Sequence, residues 1–183
     1  MTKPARRNSP VRRSVVLRRL TTGAGAVTVR AAQSADLETL VRLRLALLHE
    51  HATSPIYGRL RGDVEARARL LFAQQLGESD EACLLAERDG RAVGCLRVSE
   101  SRGSPLLLPS RYGYLASAYV VPEARGEGVL RVLVDHALAW CRSRGLVEVR
   151  LHADATNSVA AAAWEALGFS VVEQLRHRLL LPE

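Results

Sequence analysis

Residues 119–130, in the second half of the chain, combine the features of an anion-binding turn. They read Tyr-Val-Val-Pro-Glu-Ala-Arg-Gly-Glu-Gly-Val-Leu, so that a β-branched run passes through Pro122 into a loop with Gly126 and Gly128, and an amphipathic pattern begins at once. At such a strand-to-helix turn, backbone N–H groups without intrahelical partners and the helix dipole favour negative charge. Glycines also let the backbone approach a ligand closely. The pattern predicts a site for a phosphate or pyrophosphate.

Two common phosphate-binding motifs are absent from the sequence. A Walker loop ends in Gly-Lys-Ser/Thr, and no Gly-Lys pair occurs in this chain. A dinucleotide fingerprint has three glycines after an early strand and a distal acid, whereas here there are two glycines, late in the chain. The alternative interpretation of residues 119–130 is an ordinary strand-to-helix turn in which glycine allows a tight backbone conformation.

A second motif follows about thirty residues later. Asn157-x-x-Ala160 is followed by the segment Trp-Glu-Ala-Leu-Gly-Phe at 164–169. Together with residues 125–130, this order and spacing resemble the GNAT superfamily of N-acetyltransferases. In that family, Arg/Gln-x-x-Gly-x-Gly/Ala and Asn-x-x-Ala…Tyr-Glu-x-Leu-Gly-Phe are the corresponding motifs. The resemblance covers roughly residues 26–181.

The resemblance implies transfer of an acetyl group from acetyl-CoA to an amine of a small molecule or protein, by direct attack and without a metal. In that scheme the backbone at 126–130 holds the pyrophosphate, and the strand at 119–121 pairs with the pantetheine arm and polarises the thioester carbonyl. Arg125 is implied as a phosphate-side cation and Asn157 as a pantetheine contact. The implied coenzyme contacts are Tyr119, Val120, Val121, Arg125, Gly126, Glu127, Gly128, Val129, Leu130, Asn157 and Trp164.

Three departures from the family pattern affect the expected chemistry. Leu130 stands where Gly or Ala is usual, which predicts weaker coenzyme binding. Trp164 replaces the tyrosine that usually protonates the departing sulfur, and an indole N–H is not an acid near neutral pH. No carboxylate occurs at 115–118, before the glycine loop, to accept the proton of the amine. Neutralising a lysine-like amine at pH 7 costs about 4.6 kcal/mol, against about 1.4 for an amine of pKa about 8, so we expect an acceptor amine of modest pKa or a substitute base.

Candidate bases are chosen by their place in the sequence. Glu100 ends a predicted hairpin beside the cleft, and His152 lies near the end of a predicted central strand and has a suitable pKa. The structural alternatives are a solvated loop acid and a satisfied structural histidine. Residues 49–51, His-Glu-His, end the first helix where the family builds the acceptor wall. Tyr112 and Tyr114 either hydrogen-bond an acceptor or pack against neighbours.

Hydrophobic periodicity predicts the elements that must position these groups. The order β-α-α-β-β-β-α-β-α-β-β is that of the GNAT fold, a mixed α/β (α+β) protein with a twisted, mostly antiparallel sheet and helices on both faces. It lacks the βαβ repeat of a Rossmann domain. The predicted strands are Ala26–Ala32, Ala82–Glu87, Ala92–Ser99, Tyr112–Val121, Leu146–Ala153, Ser170–Gln174 and His177–Leu181. The predicted helices run from the N-cap Ser34 to about His51, from about Val64 to Leu76, from Val129 to Gly145, and from the cap Asn157 to Gly168.

The charge of the chain is unevenly distributed. Seven of its 26 Lys/Arg lie in the first nineteen residues with no acid among them, and the remaining 19 balance 19 Asp/Glu. Residues 1–24 are therefore predicted to be a disordered basic arm, and residues 25–183 one acetyltransferase domain. A nucleic-acid contact, an acidic-membrane contact and a transit peptide are the functional readings of the arm. The alternative is a dispensable extension. Because no aromatic residue is interleaved to stack on bases, we favour the dispensable extension over a nucleic-acid contact.

Composition limits the remaining possibilities. No run approaches the length of a membrane span, so no membrane partner is expected. Cys83, Cys95 and Cys141 lie in apolar contexts without regular spacing, which predicts reduced thiols, no metal site and a cytoplasmic protein. The expected partners are acetyl-CoA and an amine acceptor, and a homodimer is compatible with the sequence. The alternative function is a catalytically weak or inactive GNAT-like module that binds acyl-CoA as a sensor or partner-binding subunit.

Overall fold

The computed structural model describes residues 19–22 and 25–180, and the chain divides into two compact units, with the boundary after Arg150. Six strands form one sheet in the order β1-β2-β3-β4-β5-β6, with antiparallel pairing from β1 to β5. The strands are β1 (Arg19–Thr22), β2 (Gly25–Ala31), β3 (Glu81–Arg88), β4 (Arg91–Arg102), β5 (Arg111–Val120) and β6 (Val149–Leu151). The helices are α1 (Leu37–Glu50), α2 (Val64–Gln75), α3 (Val129–Ser143) and α4 (Ser158–Ala166). This mixed α/β architecture confirms the predicted fold class.

The hairpin of β3 and β4 forms around the predicted Asp-Gly turn. Asp89 and Gly90 both have positive φ, at 49° and 72°, between the paired residues Arg88 and Arg91. Two successive positive φ values define the type I′ turn, whose twist matches that of the flanking strands. The hairpin therefore follows from a local signal, as predicted.

Helices cover the two faces of the sheet in different ways. A Cβ added at Gly113 of β5 would lie 2.4 Å from the Sγ of Cys141 in α3, so α3 approaches this face closely. On the other face, Cys95 of β4 is buried in a core cluster with Leu43 of α1 and Phe72 of α2. Because side chains alternate along a strand, each residue of β4 and β5 faces either α3 or the α1–α2 pair.

The first helix begins later than expected. Ser34 is not its N-cap, because residues 34–36 form a 3₁₀ turn and α1 starts at Leu37. The Asp36 carboxylate accepts a hydrogen bond from the Gln33 N–H at 2.7 Å and pairs with Arg30 at 2.6 Å. These contacts hold the pKa of Asp36 below its ordinary value, with Arg30 as the main cause. The Asp36 carboxylate, bonded across the turn, therefore stabilises this segment in place of the predicted Ser34 cap.

Three further predictions about elements are wrong in part. Four residues of the predicted disordered arm, Arg19–Thr22, form β1 against β2, while residues 1–18, 23 and 24 lie outside the described residues. The strand predicted at 146–153 is limited to Val149–Leu151. The predicted strands Ser170–Gln174 and His177–Leu181 are absent from residues 170–180, whose side chains are exposed; residue 181 is not described. A β-rich pattern forms a strand only where a neighbour completes its hydrogen bonds, and sequence alone does not identify that neighbour.

All three cysteines are free and buried, and their burial agrees with the apolar contexts noted in the sequence. Burial raises the pKa of Cys95 to about 12 and the pKa of Cys83 to about 11. Within residues 19–22 and 25–180, no cluster of three or more metal-ligating side chains occurs. None of the helices in the same stretch combines the length and apolarity needed to span a bilayer.

Candidate active site

The glycine loop connects β5 to α3 through two left-handed residues. Gly126 has φ 76°, and Gly128, the N-cap of α3, has φ 82°. A Cβ added at either glycine would meet no atom within 4 Å. Glycine is therefore required by the backbone conformation and not by crowding, and the space beside both residues is open.

The start of α3 presents main-chain donors ahead of its helical ladder. The first intrahelical bond of α3 runs from the Val132 N–H to the Gly128 carbonyl at 3.2 Å, so the N–H groups of residues 128–130 lie before that bond. Val129 is buried and anchors this end in the core, while Leu130 is only partly buried. The positive end of the dipole of this 15-residue helix lies at the same N-terminus. This arrangement can bind an anion through backbone donors alone.

Arg125, at the entrance of the loop, pairs with the end of α1. Its Nη2 donates to both carboxylate oxygens of Glu50, at 2.7 and 2.8 Å, and its Nε donates to the Val120 carbonyl at 2.9 Å. The guanidinium also lies over the Tyr119 ring, and the Tyr119 hydroxyl donates to Glu50 at 3.1 Å. Burial, followed by the charge of Glu50, raises the pKa of Tyr119. The expected phosphate contact of Arg125 stays a prediction, since this guanidinium is engaged by Glu50.

Glu127, between the two glycines, is also paired within the protein. Its carboxylate accepts a hydrogen bond from Arg88 at the end of β3, whose side chain is 13% exposed. Within the described part of the chain, the buried Arg88 Nε has no hydrogen-bond partner. Arg125 and Glu127 thus each have a counter-ion from another element. An incoming anion would meet mainly main-chain donors.

The end of β5 directs one backbone donor away from the sheet. The Val121 N–H donates to the Val93 carbonyl at 2.9 Å, and Val120 is the register partner of Gly94. Because donors alternate sides in an antiparallel ladder, the Val120 N–H points away from β4. Earlier in β5, Ser117 has φ 53° beside a register shift between Cys95 and Arg97, which marks a β-bulge. The bulge separates the outward-facing N–H from the regular part of the strand.

The two candidate bases lie in different units. Glu100 of β4 is the register partner of Gly113, so it shares the α3 face of the sheet, and its carboxylate accepts a hydrogen bond from Arg111 at 2.8 Å. His152 is exposed and follows β6 in the second unit. Their roles stay predictions.

The predicted acceptor-wall residues have separate environments. His49 is exposed, Glu50 is held by Arg125, and the ring of His51 makes an edge contact with Tyr57 at 5.8 Å between centroids. Tyr112 lies under the Arg150 guanidinium at 4.1 Å, and burial raises the pKa of Tyr114. Sequence reasoning missed Arg44 of α1, which interacts electrostatically with Tyr57. The available signal was a charge within an apolar stripe.

The second motif has a clear structural role within its own unit. The Asn157 Oδ1 accepts a hydrogen bond from the Ala160 N–H at 2.9 Å and caps α4, as predicted. At the other end, the Phe169 N–H donates to the Trp164 carbonyl at 3.0 Å around Gly168, whose φ is 87°. The Trp164 and Phe169 rings meet edge to face at 5.5 Å. These contacts form a Schellman-type helix end.

Comparison with known proteins identifies the family. Residues 45–169 match the model of the acetyltransferase (GNAT) family, and the chain belongs to that family. Both sequence motifs lie within the matched residues, so the predicted resemblance is confirmed.

Individual relatives carry related names. The chain is 36% identical over 88 residues to an aminoglycoside N(6')-acetyltransferase type 1 of Klebsiella aerogenes, over 48% of this chain and 58% of that protein. A protein of the same name from Stenotrophomonas maltophilia is 29% identical over 160 residues, covering 83% of this chain and 92% of its own. An acetyltransferase structure from Clostridium acetobutylicum, described as a predicted acetyltransferase with acetyl-CoA, has a TM-score of 0.69 at 17% identity, over 84% of this chain and 96% of that one. The last likeness shows the fold alone.

Proposed function

We propose that this protein is an N-acetyltransferase that uses acetyl-CoA as co-substrate and acetylates an amine by direct attack. The observation that carries the proposal is the glycine loop, where two left-handed glycines lead into the N–H groups of residues 128–130, ahead of the first helical hydrogen bond of α3. Membership of the GNAT family and the acetyltransferase names of its relatives support the same activity. The acceptor is an amine of a small molecule or protein.

The coenzyme would lie along the end of β5. The N–H groups of 126–130 would hold the pyrophosphate, and the pantetheine arm would follow the backbone of 119–121 as an added strand. The outward Val120 N–H would then donate to the thioester carbonyl oxygen. Because Arg125 and Glu127 are already paired, this binding mode depends on the main chain more than on side-chain charge.

The reaction requires two proton movements. The neutral amine attacks the thioester carbon, and the Val120 N–H stabilises the negative charge that develops on the oxygen. The carbon–sulfur bond then breaks, the amide forms, and the amine nitrogen releases one proton. The CoA thiolate takes up a proton from solvent. Trp164 supplies none, since indole is only a hydrogen-bond donor; an alkyl thiol pKa of about 8.5 makes the thiolate a fair leaving group.

Glu100 and His152 are the proposed routes for the amine proton, directly or through water. The test compares pH–rate profiles of Glu100→Gln and His152→Gln with the wild type. If one residue is the base, its variant loses the ascending limb of the profile. An ascending limb unchanged in both variants excludes both residues. The fold should survive Glu100→Gln, because its ion pair with Arg111 is partly exposed and worth about 0–1 kcal/mol.

Calorimetry with matched glycine variants tests coenzyme binding. Gly128→Val and Gly145→Val both force a branched residue into the left-handed region at an end of α3, at φ 82° and 69° with open space around each. Each should cost about 1–2 kcal/mol of stability. Only Gly128→Val should raise the Kd for acetyl-CoA, by about tenfold or more, since its side chain enters the proposed pyrophosphate site. Equal affinities for the two variants, or no binding by the wild type, would refute the site.

The proposed coenzyme contacts of Asn157 and Trp164, in the second motif, rest on the resemblance to the GNAT family. Asn157→Ser should keep the α4 cap while shortening the side chain, and Asn157→Ala should lose the cap at a cost of about 1 kcal/mol. A pantetheine contact predicts weaker acetyl-CoA binding in both variants. Trp164→Phe tests the proposed contact of the indole in the same titration.

The expected cellular context is also proposed. We propose a cytoplasmic protein, in keeping with three buried, unpaired thiols. A homodimer is supported by exposed apolar side chains at Val171, Val172 and Leu175, and light scattering of the purified chain tests it. Titration with RNA at low salt tests the expectation that the basic arm makes no nucleic-acid contact. Acetyl-CoA binding without acetylation of any amine would favour the non-catalytic module instead.

A further inference from the structure

Arg44 occupies an unusual place on α1. It lies four residues after Leu40 and three before Leu47, so its side chain belongs to the stripe of α1 that packs on the sheet. Leu40 and Leu43 are fully buried, and Arg44 is partly buried next to them. A guanidinium therefore interrupts an otherwise apolar surface.

Among the residues that the structure describes, no carboxylate forms an ion pair with Arg44. Burial is the main cause of a lowered pKa for this arginine, and the charge of Arg97 acts in the same direction. The groups that oppose this shift are the Cys95 thiol and the Tyr57 hydroxyl, and neither is a carboxylate.

The sheet beneath α1 places further polar groups on the same face. Arg97 is the register partner of Ala116, and Ser99 is the partner of Tyr114 two residues along. Side chains two apart on a strand share a face, so Arg97 and Tyr114 are diagonal neighbours. Tyr57 comes from the segment between α1 and α2, and its hydroxyl interacts electrostatically with both Arg44 and Tyr114. These four residues, Arg44, Tyr57, Arg97 and Tyr114, are the α1-face cluster.

The acids near this face are already neutralised. Glu81 pairs with Arg97 at 2.5 Å, and Glu50 pairs with Arg125. Further along α1, Glu38 pairs with Arg69 at 2.8 Å. The charge that remains on the α1-face cluster is the Arg44 guanidinium, so the cluster is cationic.

An unpaired, partly buried cation is costly unless a ligand supplies the counter-ion. Removing a guanidinium from water without a partner costs several kcal/mol when burial is complete and a smaller amount here. Arginine presents a planar fork of N–H donors that matches a carboxylate or phosphate, and tyrosine hydroxyls can donate to the same oxygens. The cluster therefore has the chemistry of an anion site on the α1–α2 side of the sheet, whereas the glycine loop precedes α3.

We propose that the α1-face cluster binds an anionic group, a carboxylate or a phosphate, carried by the acceptor amine. The identification of this anion as part of the acceptor rests on the proposed acetyltransferase function. The cluster is poorly matched to a polycationic aminoglycoside, because the neighbouring acid Glu81 is paired with Arg97 and the unpaired charge of the cluster is positive. This separates the proposed acceptor from the substrate class in the names of two relatives.

Matched pairs of amines test the charge preference. Glucosamine 6-phosphate is compared with glucosamine, phenylalanine with phenethylamine, and kanamycin A is included as the polycationic arm. Binding to the full chain is measured by calorimetry, and turnover is measured by CoA release. We expect at least one amine with an anionic group to bind ten times or more tightly than its counterpart without that group. Tighter binding in the first pair would identify the anionic group as a phosphate, and tighter binding in the second pair would identify it as a carboxylate.

Substitution of Arg44 tests the residue itself. Arg44→Gln should weaken binding of the preferred anionic amine by about tenfold or more, and it should leave the affinities for the counterpart without the anionic group and for acetyl-CoA unchanged. Arg42→Gln is the matched control, since Arg42 is exposed on the same helix and should change neither. Arg44→Met should raise Tm by roughly 2–4 °C without ligand, because it removes a desolvated charge and keeps the packing. A merely structural arginine would instead lower Tm when replaced.

The outcomes separate the two proposals. If acetyl-CoA binds, and amines without an anionic group are bound and acetylated as well as anionic ones, the anion site is overturned and the acetyltransferase stands. If an anionic amine binds through Arg44 but no amine is acetylated, the anion site stands and the catalytic proposal fails. Equal binding of the anionic amine by wild type and Arg44→Gln overturns the inference in either case, as does a failure of every anionic amine to bind the wild type.

Discussion

The glycine loop and the α1-face cluster use charge in opposite ways. In the loop, Arg125 and Glu127 are both paired with partners from distant elements, which leaves backbone N–H groups as the donors. In the α1-face cluster, the acid Glu81 is paired with Arg97, and the side chain of Arg44 remains as the donor. One region thus offers main-chain atoms and the other offers a guanidinium.

This difference separates two kinds of recognition. Backbone donors depend on conformation, so a loop held by Gly126 and Gly128 can bind the same phosphate groups whatever its side chains are. A guanidinium depends on residue type, so one substitution at Arg44 would change which acceptor binds. We infer that the loop fixes the co-substrate and that the α1 face selects the acceptor.

The largest expected effect is on catalysis at the main-chain site. Val120→Pro removes the outward N–H without removing a bond to β4, and kcat should fall by about 10²–10³ if this donor stabilises the oxyanion. Val120→Ala keeps the N–H and should retain most of the activity. Steady-state kinetics with the preferred amine measure both. Equal losses in the two variants would place the contribution in the valine side chain.

The pairing of Glu127 with Arg88 should matter mainly for stability. Glu127→Gln leaves the largely buried Arg88 charge without its partner and should lower the free energy of unfolding by about 1–3 kcal/mol. Glu123→Gln, an exposed acid in the preceding turn, should change it by less than about 0.5 kcal/mol. Urea denaturation compares the two variants. If Glu127→Gln binds acetyl-CoA as tightly as the wild type, the result supports binding through the main-chain N–H groups. A large loss of affinity in a folded variant would argue against it.

Alkaline unfolding reports on the core beneath the α1 face. Folding raises the pKa of Cys83 to about 11 and of Cys95 to about 12, so folded thiols keep protons that the unfolded chain loses above about pH 9. The unfolded state then binds fewer protons, and the free energy of unfolding falls as pH rises through this range, by up to about 1.4 kcal/mol per pH unit for each thiol. Below pH 8 this contribution is fully present. Urea titrations between pH 8 and 11 measure the slope, which Cys95→Ala should reduce; an unchanged slope would contradict the burial of this thiol.

The smallest effects are expected at the pair of Arg125 and Glu50. Both side chains are more than a third exposed, so Glu50→Gln should cost less than about 1 kcal/mol of stability. If Arg125 turns to a coenzyme phosphate, Arg125→Gln weakens acetyl-CoA binding while Glu50→Gln does not. Calorimetry at low salt distinguishes these results. Equal affinities in both variants would mean that Arg125 serves only to hold the end of α1.

Local signals in the sequence predicted several parts of this protein correctly. The Asp89-Gly90 turn, the Asn157 cap and the helix ends at Gly145 and Gly168 each depend on a few adjacent residues. The glycine loop depends on local residues as well, because glycine permits the left-handed φ values that Gly126 and Gly128 adopt. The family resemblance rests on these positions, and the fold class followed from it.

The tertiary structure decided what depends on residues far apart in the chain. Sequence spacing did not reveal that Glu50 and Arg88 would neutralise the charged residues of the loop, nor that residues 170–180 would form no strand. It also left the environment of Arg44 open. Local conformation is determined by the torsional preferences of neighbouring residues, whereas ion pairing, strand pairing and desolvation depend on which distant groups the fold brings together.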